Sequence, residues 1–210
     1  MTRTRLFYAT DIHGSEDCFR KFLAAAKEYK PKVMILGGDI TGKMIIPIIT
    51  RSQTEWTTTL LGEDLTMRSE AELQATEKRV RSIGYYTCRV SRQEAEELKA
   101  DIERLDALFS RLMSESVSNW MDLAEERLRG TGVKCYVSPG NDDTFAIDSI
   151  IQSSDLVVYP EGKVLSIGDE HEMISCGYSN ITPWNCPRDI PEEELAKKVE
   201  SMATQVHATD

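Results

Sequence analysis

The stretch CYVSPGNDDTF, Cys135 to Phe145, carries a short apolar run into a Pro-Gly break and then lines up an amide and two carboxylates, Asn141, Asp142 and Asp143. An apolar run bounded by turn formers reads as a buried strand, and Gly, Asn and Asp are ordinary turn residues. Alone, then, the stretch says only that a strand stops here. Two other stretches stop the same way: RLFYAT (residues 5–10) runs into Asp11 and His13, and KVMIL (residues 32–36) runs into Gly37, Gly38 and Asp39. If the three strands are parallel neighbours, their carboxyl ends share the edge at which open α/β sheets place ligands.

Outward from these strands the pattern stays α/β. Residues 15–30 read as a helix with Phe19, Phe22, Leu23 and Ala26 on one face, which completes a βαβ unit with the first two strands. Residues 132–138 give a strand, 147–152 a brief helix, 155–158 a strand, and KVLSIG with EMISCGY a hairpin around residues 168–170. Residues 187–200 are acidic and Pro-punctuated, leading into an amphipathic helix. We expect one domain over residues 1–210 with an insertion at about 43–131.

That insertion opens with KMIIPII and continues through a strand (LTMRS), a helix (69–83) and a strand (GYYTCRV). Its largest expected piece is one long helix, started by a capping box at Ser91 and Glu94 and stopped at Gly130. Leu98, Ile102, Leu105, Phe109 and Leu112 form its apolar stripe, expected to pack on the chain's own core, with a homodimer through this helix as the alternative.

The formal charge of −10 and the lack of any Lys/Arg run argue against a nucleic-acid backbone or an anionic membrane as partner. No signal-peptide core and no membrane-length apolar run is found, so a cytoplasmic protein is expected. Five cysteines without CxxC spacing suggest reduced, mostly buried thiols. No GxGxxG or GxxxxGK phosphate loop is present, which ranks a nucleotide-binding domain low.

Asp11 and His13 are two apart, so an extended backbone points both to one side, where two different donor types can grip one cation. Asp39 has two oxygens and can bridge two cations roughly 3.5 to 4 Å apart. Asn141 offers a neutral oxygen, which leaves a cation more electron-poor than a third carboxylate would. Asp142 and Asp143 are then outer groups that orient Asn141 or handle protons.

In order, DIH, GGD and GND followed by Asp143 resemble the calcineurin-like metallophosphoesterases, whose signature runs DxH, GD, then GNH with a trailing acid. The resemblance covers residues 5–43 and 132–180. It implies a two-sheet αββα sandwich flanked by helices, and a pair of divalent ions (Mn, Fe, Zn or Mg). It further implies hydrolysis of a small phosphorylated substrate, a phosphate mono- or diester, with a metal-bound hydroxide as nucleophile. Asp11 and His13 then match ligands of the first ion, Asp39 the bridge, Asn141 a ligand of the second, and Asp143 the trailing acid.

Two positions depart from that pattern. Where the family has a His that donates to the leaving group, this chain has Asp142, a group ionised near pH 7 that repels phosphate. The family's later His and closing GHxH segment have no counterpart; His171 and His207 read as exposed or capping residues. The resemblance therefore leads us to expect a sandwich left incomplete at the C-terminus. A catalytically impaired scaffold that binds a partner through the insert helix is the alternative.

Overall fold

The computed structural model describes residues 4–168 and 171–207. In chain order the first elements are β1 (Leu6–Ala9), α1 (Glu16–Tyr29), β2 (Val33–Leu36), β3 (Ile45–Ser52), β4 (Glu55–Leu60), β5 (Glu63–Met67), α2 (Glu70–Ser82) and β6 (Tyr86–Val90). There follow α3 (Arg92–Ala100), α4 (Ile102–Leu128), β7 (Lys134–Val137), α5 (Ala146–Gln152) and β8 (Val157–Val158). The last are β9 (Val164–Ile167), β10 (His171–Ile174), β11 (Ser179–Asn180), β12 (Asp189–Ile190) and α6 (Glu192–Ala203). The fold is mixed α/β, as the alternation of patterns predicts. By its internal contacts the chain divides into one unit of residues 1–12, 19–40 and 117–210, and a second of residues 13–18 and 41–116.

In the first unit β1, β2, β7 and β8 form a parallel sheet in the order β1-β2-β7-β8. All four residues of β2 are buried, the expected state of a central parallel strand covered on both faces. On one face Val33, Ile35 and Tyr136 pack against Ile167, Leu165 and Met173 of the antiparallel β9–β10 hairpin. On the other, Phe7 meets Phe22 and Tyr29 of α1 (ring centroids 6.1 and 5.6 Å), and Phe19 of α1 stacks on Trp120 at 4.5 Å. Cys135 is fully buried in β7, and burial pushes its thiol up to about 12. The expectation of mostly buried thiols holds for Cys135 alone: Cys88, Cys176 and Cys186 are half-buried and Cys18 is exposed, all five unpaired.

The second unit is built on a sheet in the order β5-β4-β3-β6, with β3–β4 and β4–β5 antiparallel and β3–β6 parallel. Ile46, Ile48, Trp56, Leu60 and Met67 present one apolar face to Leu73 and Val80 of α2. Ser69 caps α2, its hydroxyl accepting from the Glu72 N–H. The stretch expected to be chiefly helical thus also holds a four-stranded sheet.

The expected single helix from Ser91 is two helices. The capping box at Ser91 and Glu94 is formed, but the chain leaves helical geometry at Asp101 (φ −120°, ψ 95°), whose carboxylate then accepts from the Arg104 N–H and caps α4. An apolar spacing of three and four runs on through such a break because it counts side chains and not backbone angles. Packing differs as well. Ile102 is 71% exposed and Leu105 37%, while the buried stripe of α4 is Met113, Val117, Trp120, Met121, Ala124 and Leu128. Among the described residues no helix is long and apolar enough to cross a membrane.

Candidate metal centre

β1 and β2 pair in register, Leu6 with Val33 through Ala9 with Leu36, so their ends arrive side by side. Immediately beyond, the Gly37 N–H donates to Ala9 O (2.8 Å) and the Asp11 N–H to Gly38 O (3.0 Å). Asp11, His13 and Asp39 all adopt left-handed backbone, at φ 56°, 41° and 48°. Non-glycine residues there are uncommon and cost roughly 1–2 kcal/mol each, and they collect where a side chain must be aimed. Asp11 and Asp39, both in the first unit, each offer a carboxylate oxygen, and these lie within 4.8 Å of each other. Asp11 is exposed; Asp39 and His13 are half-buried.

Asp11 and Asp39 also line a cavity of about 210 Å³ with Thr10, Gly140, Asn141 and Tyr178. The Thr10 hydroxyl donates to Asp11 Oδ2 (2.7 Å), and the Asp142 N–H donates to Asp39 Oδ1 (3.2 Å). Gly140 passes so close to Asp39 that a Cβ there would sit 2.0 Å from its Oδ1, which is why a side chain is excluded at this position.

Asp143 is fully buried and ties two loops together: its Oδ2 accepts from the Gly140 N–H (2.8 Å) and the Ile40 N–H (3.1 Å). Asp142, half-buried, reaches Asp39 through its backbone. His171 is exposed at the start of β10, and the exposed His207 donates its N–H to Glu172. Neither is grouped with the Asp11 and Asp39 carboxylates.

Sequence reasoning passed over the pair Arg188 and Asp189, which encloses the Asn141 loop. Arg188, 1% exposed, donates its backbone N–H to Asn141 O (3.0 Å), its Nε to Asp143 O (2.9 Å) and its Nη2 to Thr144 O (3.2 Å) and Asp148 Oδ1 (2.5 Å). Burial opposes its charge, and Asp148 outweighs that, so the guanidinium holds its proton more tightly than usual. Its guanidinium also lies 4.4 Å from the Phe145 ring centroid. Burial, with the Asp148 carboxylate beside it, pushes the Tyr159 phenol well up.

Asp189 accepts from Asn141 Nδ2 (3.2 Å), Ser179 Oγ (3.0 Å), Thr182 N–H (2.9 Å), Thr182 Oγ1 (2.5 Å) and Cys186 N–H (3.0 Å). Partial desolvation opposes its charge, but the Thr182, Asn141 and Cys186 donors prevail and hold it well below the usual carboxylate range. An acidic residue among Pro and Thr carries no local signal for this. Its partner is 48 positions away.

No family model matches the chain, and no curated protein matches it. A solved crystal structure superposes on it with a TM-score of 0.52 at 11% sequence identity, over 98% of this chain and 66% of that one. The chain thus spans 66% of that neighbour's length, and the likeness is one of α/β fold alone.

Proposed function

We propose that the chain is a metal-dependent hydrolase of phosphate mono- or diesters, built as a calcineurin-like two-sheet αββα domain. The observation that carries the reading is the convergence of the Asp11 and Asp39 carboxylates within 4.8 Å, each on strained left-handed backbone at a loop following a parallel strand. Two carboxylates, joined by the imidazole that the DIH motif supplies at His13, are a donor set suited to Mn, Fe or Zn, with Mg as a carboxylate-dominated alternative. In this reading Asp39 shares a second ion with Asn141, a role supported by both residues lining one cavity. A bound divalent ion supplies Lewis acidity toward a phosphoryl oxygen and lowers the pKa of water.

The chain's own residues do the rest. Gly38 and Gly140 let the two loops pack directly on each other, which brings Asp39 and Asn141 to one cavity. Among the described residues no His, Lys or Arg lines the cavity, and Asp142 stands where a proton-donating His is usual. The reading therefore favours esters with good leaving groups, such as aryl phosphates, which need little protonation. The test is hydrolysis of aryl phosphate mono- and diesters with added Mn. Turnover that disappears in Asp39→Asn supports the reading; an Asp39→Asn variant as active as the parent removes it.

The exposure of Ile102 and Leu105 on α4 favours a second reading, a binding module that associates through this helix. Light scattering that gives a dimer, and a monomer on Leu105→Asp, would support it.

A further inference from the structure

Asn141 is useful to a cation only through Oδ1, because its Nδ2 carries two protons and no lone pair to donate. Which atom faces the cavity is therefore a switch with two positions. Asp189 is an acceptor at both oxygens: Oδ1 takes Asn141 Nδ2 and Ser179 Oγ, and Oδ2 takes the Thr182 N–H, the Thr182 hydroxyl and the Cys186 N–H. A carboxylate so surrounded by donors admits only the NH₂ edge of a neighbouring amide. The adjoining Arg188 N–H fixes the Asn141 backbone at 3.0 Å, so the side chain has one anchor at each end.

We infer that Asp189 is a positioning residue which sets the amide of Asn141 with its oxygen toward the cation site. The inference rests on the metal-dependent reading above and adds to it a residue that touches neither ion nor substrate. Its logic is a chain of polarity: backbone donors of the 182–186 turn fix Asp189, Asp189 fixes the Asn141 NH₂, and Oδ1 is left for the cavity.

Asp189→Asn tests this with almost no change in shape. The Thr182 and Cys186 donors still require an oxygen at the Oδ2 position, so the new NH₂ must face Asn141 and turn that amide around, presenting Nδ2 to the cavity. Manganese uptake followed by the electron paramagnetic resonance of free Mn should then weaken about 10–100-fold, the usual effect of removing an outer partner of a metal ligand. The circular dichroism and Tm should stay at parental values. The double variant Asn141→Asp with Asp189→Asn exchanges the two side chains, gives the new NH₂ an acceptor, and again offers an oxygen to the ion. It should recover manganese affinity to within a few-fold of the parent. Unchanged affinity in Asp189→Asn, or no recovery in the double variant, overturns the inference while Mn binding that depends on Asp39 leaves the hydrolase reading standing. A parent chain that takes up no Mn overturns both.

Discussion

At the loops after β1 and β2 the chain passes through Asp11 and Asp39 at φ 56° and 48°, whereas β4 passes into β5 through Leu61 and Gly62 at φ 53° and 83°. The backbone angles are nearly the same and the reasons differ. Leu60 pairs with Glu63, so Leu61 and Gly62 are a two-residue hairpin loop whose twist suits its strands, and Leu61 points its side chain to solvent at 70% exposure. Asp11 and Asp39 stand at strand ends that continue to no adjacent antiparallel partner. Their strain is offset by polar ties at the loops and brings two carboxylates together. A left-handed residue is thus a candidate site residue when its side chain converges with others, and marks a turn when it does not.

The largest expected effect is at Gly140. A Cβ added there meets Asp39 Oδ1 at 2.0 Å and its N at 2.3 Å, so Gly140→Ala should displace Asp39 and abolish manganese uptake in a calorimetric titration. If uptake survives, the carboxylates are not the reason for the geometry. Next, Asp143→Ala leaves the Gly140 and Ile40 N–H groups without their carboxylate partner and should cost about 3 kcal/mol in urea unfolding. Leu73→Ala, fully buried under the other sheet, should cost about 2–5 kcal/mol by leaving a cavity. Similar losses from such different chemistry would show a polar tie matching an apolar core.

Gly62→Ala should cost about 1–2 kcal/mol, because its Cβ meets nothing within 4 Å and only the left-handed backbone objects. It should leave manganese uptake unchanged. Arg89→Ala, which removes exposed pairs to Glu77 and Glu70, should cost at most about 1 kcal/mol. The smallest effect is local. Asp189 has a depressed folded pKa, so its contribution is complete above the unfolded value of about 3.9 and is lost as pH falls below it. The protection of the Thr182 and Cys186 amides, taken against the intrinsic exchange rate at each pH, should fall on acidification there, ahead of that of the sheet amides; a simultaneous fall throughout would deny Asp189 its local role.

The parallel strands were legible because each is a short apolar run cut off by Gly, Pro or Asp, and in the central β2 and β7 burial on both faces requires that composition. Asp11, Asp39 and Asn141 were legible for the same reason, since strand ends in a parallel sheet share one edge. β4 was not. Its sequence, EWTTTL, presents only Trp56, Thr58 and Leu60 inward and looks polar, and its loop lacks the usual Asn-Gly or Asp-Gly. The Asp101 break hid inside an unbroken apolar spacing. Arg188 and Asp189 were invisible because what they do depends on carbonyls and an amide some 40–48 positions away.

Cys135 has a strand on either side of it, and its thiol resists ionisation, whereas Cys18 is open to solvent. Alkylation proceeds through the thiolate, so a reagent modifies Cys18 at once and Cys135 only when strands separate. The lag between the two labels is an intrinsic clock for sheet opening, readable by mass spectrometry without any introduced probe.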